Sequence, residues 1–117
     1  VVVEAAEIDP LALAAVRLNA ALNGVAVATP PGDVVGAPCR WDVIFAGDVC
    51  YEAPMTAHIL PWLRGLVAAG AEVLIADPGR AYLPKAGLDP IARYSVPTTR
   101  ELEDRDSREV TIHRLAA

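Results

Sequence analysis

The chain has little of what marks membrane, nucleic-acid-binding and secreted proteins. No apolar run approaches the roughly 20 residues that cross a bilayer. Val1 to Val3 are followed by Glu4 and Glu7 with no basic lead, a poor match to a signal peptide. Positive charge is scarce: ten Lys and Arg against fifteen Asp and Glu leave a net charge of −5. The Lys and Arg residues do not cluster, so there is no basic stripe for a phosphate backbone or an anionic lipid surface, and neither nucleic acid nor membrane is an expected partner. Cys39 and Cys50 have neither metal-ligand nor redox-motif spacing and are expected to be free thiols in a cytoplasmic protein. His58 and His113 have no ligand or nucleophile partner near them in sequence and read as structural or exposed. Methionine occurs once, at Met55, and the chain opens inside a strand-like stretch, which reads as a fragment or processed product.

What remains is an apolar chain of ordinary charge content: 117 residues, 54% hydrophobic and 21% charged. Such a composition suits one small globular domain with its own core and argues against disorder. There is no internal repeat, no low-complexity tract and no composition break that marks a second domain. The organising stretch is Trp41 to Glu52, where the apolar run Val43 to Ala46 ends at Gly47 and delivers Asp48, Tyr51 and Glu52 before Pro54. A short apolar run without polar alternation predicts a strand buried on both faces, as in a parallel α/β sheet. Ligands bind beyond the carboxyl ends of such strands, which makes Asp48 and Tyr51 candidates for chemistry.

Taken in order, Val1 to Ile8 predicts a strand, and Asp9-Pro10 predicts the N-cap and first position of a helix running to about Asn23. Leu11, Ala15, Leu18 and Leu22 share one face of that helix, and Gly24 is placed to close it. Val25 to Thr29 predicts a second strand, and Pro30 to Pro38 a loop carrying Asp33. A second helix is expected over Pro54 to Ala69, with Met55, Ile59, Trp62 and Leu66 on one face, Gly70 as its stop and a kink or break at Pro61. Glu72 to Ala76 predicts a buried strand ending in the turn Asp77-Pro78-Gly79-Arg80. Tyr94 to Thr98 and Glu109 to Leu115 predict an antiparallel pair at one sheet edge, with the acidic run Glu101 to Asp106 as a solvated hairpin tip. This order of elements predicts a mostly parallel sheet with helices on its faces.

Glu7-Ile8-Asp9-Pro10, with Asn19 and Asn23-Gly24 downstream, resembles the second strand and following helix of class I S-adenosylmethionine-dependent methyltransferases. Gly47-Asp48-Val49-Cys50-Tyr51-Glu52 followed by Leu74-Ile75-Ala76-Asp77-Pro78-Gly79-Arg80 is similar, more narrowly, to the electron-transfer flavoprotein β-subunit lysine methyltransferase family and its bacterial relatives. The resemblance covers nearly the whole chain. It implies a Rossmann-like sheet whose first strand and glycine-rich loop have no counterpart here, so that residues 1–117 form the C-terminal portion of a single methyltransferase domain. On that reading the fragment alone binds cofactor poorly. The resemblance further implies S-adenosyl-L-methionine as cofactor, with Glu7 on the ribose hydroxyls, Ile8 against the adenine, Asp33 near the adenine amino group and Gly47 beside the cofactor. Asp48 and Tyr51 match an Asp-x-x-Tyr element set beside the methyl donor and target amine, and Glu52, Asp77 and Arg80 are candidate substrate contacts.

The implied activity is N-methylation of a protein lysine. The alternatives are a small amine such as a nitrogen heterocycle, and a non-catalytic nucleotide-binding or interaction domain of the same fold. Nothing in the sequence specifies an oligomer. Each candidate also has a plainer reading. Glu7 could be a first-turn acid favouring the helix dipole, Asp48 a helix N-cap, Tyr51 a core aromatic, Cys50 a small buried residue and the Asp77 to Arg80 segment simply a turn.

Overall fold

The computed structural model describes residues 1–98 and 107–117. The run Glu101 to Asp106, expected as a hairpin tip, lies outside the described residues. The chain divides into two compact units, Val1–Ala37 and Pro38–Ala117.

The first unit is built on helix α1, Pro10–Leu22. Asp9 caps it as its side chain accepts the Leu11 N–H at 3.0 Å, and Pro10 takes the first turn, where its missing N–H has no intrahelical partner to lose. The helix stops where Gly24 turns left-handed at φ +63°, and the Gly24 and Val25 amides bond back to the Ala21 and Ala20 carbonyls. That pair of bonds is a Schellman closure. The expected strands Val1 to Ile8 and Val25 to Thr29 shrink to a single parallel bridge, Glu4 opposite Ala28. Two hydrogen bonds make it, Ala28 N to Val3 O and Ala5 N to Ala28 O. β propensity makes a ladder only where packing supports it, and here none of the residues is fully buried. The expected helix face also turns out differently. Leu11, Leu18 and Leu22 are exposed, and the half-buried positions are Ala12, Leu13, Val16 and Ala20. A helix made mostly of Ala and Leu carries two apolar stripes, and periodicity alone does not choose between them.

The second unit contains a four-stranded sheet and one helix. Strand β1 is Val43–Gly47, helix α2 Ala53–Ala68, β2 Glu72–Asp77, β3 Leu88–Pro97 and β4 Ser107–Leu115. The strand order is β1-β2-β4-β3. β1 and β2 run parallel, connected through α2, whereas β2/β4 and β4/β3 are antiparallel. The sheet is therefore mixed rather than mostly parallel, because the chain after β2 returns as a hairpin whose second strand, β4, inserts beside β2. The edge position of β3 explains how it accommodates Pro90 and Pro97, whose missing donors would break an inner ladder.

β1 is not buried on both faces. Ile44 and Ala46 turn inward, while Val43 and Phe45 are 49% and 80% exposed. The inward face continues through Val73, Ile75 and Asp77 of β2 to Leu115 of β4, and α2 covers it with Leu60, Leu63 and Leu66. Full burial of a side chain such as Leu63 stabilises by about 1.5–3 kcal/mol relative to exposure. Of the face expected for α2, Leu66 is buried and Met55, Ile59 and Trp62 are half-buried, so the buried stripe is rotated towards Leu60 and Leu63. Pro61 sits inside α2 without splitting it. Gly70, at φ +107°, ends the helix with its amide on Val67 O, and the Ala71 amide bonds Leu66 O. Trp62 meets Trp41 edge-to-face with centroids 5.8 Å apart, and the Arg40 guanidinium lies 4.2 Å from the Trp41 ring centroid. Arg64 reaches from α2 to bond Ala86 O and Ala116 O, both at 3.1 Å, beside a Gly87 held at φ +77°.

Candidate functional site

The carboxyl edge of the parallel pair gathers most of the candidate residues. Register sets Gly47 beside Ala76, so that Asp48 and Asp77 leave the two strands together. Asp48 has a left-handed backbone, φ +48°, and its amide bonds Ala76 O at 2.8 Å. Aspartate tolerates this conformation better than most residues, and here it turns the chain out of the strand. A Cβ added at Gly47 would meet no atom within 4 Å, so the backbone at the strand end is open to a ligand.

Asp77 is only 2% exposed, and its Oδ2 accepts from the Gly79 and Arg80 amides at 2.7 and 2.9 Å. With Gly79 at φ +101°, this makes the Asp77 to Arg80 segment the turn that its composition predicts. Asp77 Oδ1 is buried and unpartnered. The turn aims Arg80 back at β1, where its Nε and Nη2 donate to Asp48 Oδ1 and Oδ2 at 2.9 and 2.7 Å. This is a two-pronged guanidinium–carboxylate fork. The bonds from Arg80 hold the Asp48 carboxyl below the usual carboxylate range; partial burial opposes them, and the Arg80 and Arg108 charges add to them.

Cys50 lies fully buried behind this pair, and burial pushes its thiol up, partly offset by a hydrogen bond with Thr56. It behaves as the small buried residue of its plainer reading. Tyr51 is 49% exposed, and Glu52 is the exposed N-cap residue of α2 without a side-chain cap bond. Asp48 is thus not the helix cap. The second unit brings Gly47, Asp48, Asp77 and Arg80 together, with Asp77, expected as a substrate contact, buried beneath the other three. Glu7, Ile8 and Asp33 belong to the first unit. There Glu7 Oε1 accepts the Asp9 amide at 3.0 Å, Asp33 Oδ1 accepts the Val35 amide at 3.0 Å, and Ile8 is 58% exposed. Glu7 precedes the cap and is not a first-turn acid.

The bond between Asp48 and Arg80 was not legible from the motifs taken singly. The available signal was positional, since each residue follows the carboxyl end of one of two adjacent parallel strands. Among the described residues, no group of three or more His, Cys, Asp or Glu could hold a metal ion. A surface cleft of about 450 Å³ opens on the β3–β4 hairpin, lined by Arg93, Tyr94, Ser95, Ser107 and Glu109, and shares no residue with the strand-end cluster.

In open α/β sheets ligands bind beyond the carboxyl edge of the parallel strands, the edge at which these charged residues lie. Comparison with known proteins narrows the class. The chain is 32% identical over 113 residues to a protein of Xenopus laevis named electron transfer flavoprotein beta subunit lysine methyltransferase, matching 91% of this chain and 46% of that protein. It is 31% identical over 102 residues to the protein of the same name from Danio rerio, matching 81% of this chain and 40% of that one. No family model matches. This similarity supports assigning the chain to the methyltransferases. It spans less than half the length of these relatives.

Proposed function

We propose that this protein is an S-adenosylmethionine-dependent N-methyltransferase whose substrate is a lysine side chain of another protein, acting in the cytoplasm. The observation that carries the reading is Asp48 at the carboxyl end of β1, fixed by Arg80, in a chain similar throughout to lysine methyltransferases. S-adenosylmethionine, when bound, supplies an electrophilic methyl group on a sulfonium. The residues present are compatible with it. Glu7 gives one oxygen to the Asp9 amide, and a carboxylate has further lone pairs for ribose hydroxyls. Ile8 is an exposed apolar surface for the adenine, Asp33 an exposed carboxylate for its amino group, and Gly47 leaves the strand end open.

In methyl transfer the amine lone pair forms the new N–C bond as the C–S bond breaks, and the sulfur keeps that electron pair. The reacting amine must therefore be neutral. Deprotonating a lysine at pH 7 costs about 4–5 kcal/mol from its reference pKa, and an unpaired carboxylate 4 Å away adds about 4 kcal/mol at an effective dielectric of 20. Asp48 accepts an N–H of the amine and orients its lone pair, while the ring and hydroxyl of Tyr51 shape the surrounding surface. The proton leaves to water or to Asp48. Glu52 and Arg80 border the substrate side, and Asp77 acts through the turn that places Arg80. No helix among the described residues is long and apolar enough to cross a membrane.

The experiment is transfer of labelled methyl groups from S-adenosylmethionine, assayed on protein and on low-molecular-weight fractions. Label in protein supports the lysine reading, and label only in the small-molecule fraction replaces it with the heterocycle reading. Asp48→Asn and Tyr51→Phe should each lose at least about tenfold in kcat with cofactor binding retained. Unchanged rates in both variants would remove these residues from the site.

A further inference from the structure

Resting on the methyltransferase reading, we propose that Arg80 is a positioning residue that keeps Asp48 charge-neutralised, so that Asp48 orients the substrate amine without holding it as an ammonium. An isolated carboxylate is a poor companion for a nucleophilic amine, because it stabilises the protonated form that cannot react. Asp48 is not isolated. Both its oxygens are engaged by the Arg80 fork at 2.7 and 2.9 Å, and the pair carries no net charge. Each oxygen still has a second lone pair, so Asp48 remains able to accept an N–H while the guanidinium charge offsets part of its field on the amine.

The placement of Arg80 is built into the core rather than left to a surface encounter. Its backbone amide and that of Gly79 are both bound by Asp77, which is 2% exposed at the end of β2. The Arg80 side chain keeps 34% of its surface exposed and that of Asp48 43%, so the pair is anchored from below and reachable from outside. The other groups that act here are Arg108 of β4, whose charge also reaches Asp48, and Cys50, whose buried thiol stays neutral. Asp77 is bound into its turn, and Tyr51 and Glu52 stand between Cys50 and α2. Arg80 is the one whose fork touches Asp48 directly, and its removal returns a full negative charge to the amine's acceptor.

The test is the pH dependence of kcat for wild type, Arg80→Gln and Arg80→Lys, using the full-length protein that carries residues 1–117 with the protein fraction that accepts label as substrate, beside thermal unfolding of each. Loss of the guanidinium should move the ascending limb of the Arg80→Gln profile about one unit to higher pH, roughly a tenfold loss near neutrality that alkaline pH restores. Arg80→Lys, which keeps the charge and loses the fork, should retain the wild-type limb at a lower plateau. A uniform loss at every pH with the limb unmoved would reduce Arg80 to a scaffold and overturn the proposal. So would a faster Arg80→Gln enzyme with a lower KM, which would mean that Arg80 competes with the substrate cation for Asp48. Absence of methyl transfer in the wild type at every pH would instead overturn the methyltransferase reading and this inference together. An active wild type with an unmoved limb removes this inference alone.

Discussion

The two units use the same kinds of residue to different ends. In Val1–Ala37 most side-chain bonds join neighbours along the chain: Asp9 caps its own helix, Glu7 binds the Asp9 amide, Asp33 binds the Val35 amide and Gly24 closes α1, with the Glu4–Ala28 bridge and the Arg17–Thr29 bond as longer links. None of its residues is fully buried. In Pro38–Ala117 order comes from distant partners. Leu60, Leu63 and Leu66 cover a sheet built from three sequence regions, and Asp48 is held by a residue 32 positions away. The same side chain, aspartate, is a local cap in one unit and half of a tertiary ion pair in the other. Local signals suffice to write a helix, but only burial makes the packing that fixes a site to within a hydrogen-bond length.

The contrast is sharpest at the core. Leu63→Ala, at a residue 1% exposed, should destabilise by about 2–5 kcal/mol in urea unfolding. Leu18→Ala, at a residue 66% exposed, should stay within about 0.5 kcal/mol, and equal effects would erase the distinction between the units. Asp77→Ala strips two turn amides of their acceptor and should cost about 1–3 kcal/mol. The same variant should loosen Arg80, visible as a shift in the Asp48 side-chain carboxyl resonance. Asp9→Ala should cost about 1 kcal/mol and act locally, with amide exchange rising over Pro10–Leu22 and unchanged over β2. Spread of that effect into β2 would mean that the cap does not act locally.

The smallest effect is electrostatic. Because the folded-state pKa of Asp48 is lowered from 3.8, its ionised form adds stability above the unfolded value, and this is lost as pH falls through the folded one. Asp48→Asn should therefore lower stability slightly at neutral pH, with the difference from wild type closing as pH falls below about 4.

Much of this was written locally. Asp9-Pro10, Gly24, Gly70 and the Asp77 to Arg80 turn act over a few residues, so the sequence pattern and the structure agree on them. The final hairpin was legible from its alternation, but β3 begins at Leu88, earlier than Tyr94, because an edge strand tolerates Pro90. What escaped was decided by partners. Val43 to Ala46 reads as doubly buried, yet Phe45 is 80% exposed, and apolar character does not say which faces are covered. The mixed order of the sheet depends on where β4 inserts, and the Asp48–Arg80 fork on a register between strands separated by a helix. Neither is a property of any one segment.

The clasp that Arg64 makes on the hairpin has a bearing on how the sequence can drift. A Cβ at position 87 would meet the Arg64 guanidinium, the far end of a flexible side chain that can move aside, so the backbone decides more there than the contact does. A lineage that shortens residue 64 gains room at 87 but gives up the bonds to the Ala86 and Ala116 carbonyls, and the φ of +77° still penalises a side chain there. Glycine at 87 should therefore persist whether or not residue 64 changes, an asymmetry that an alignment of close relatives would display as variation at 64 beside a constant glycine.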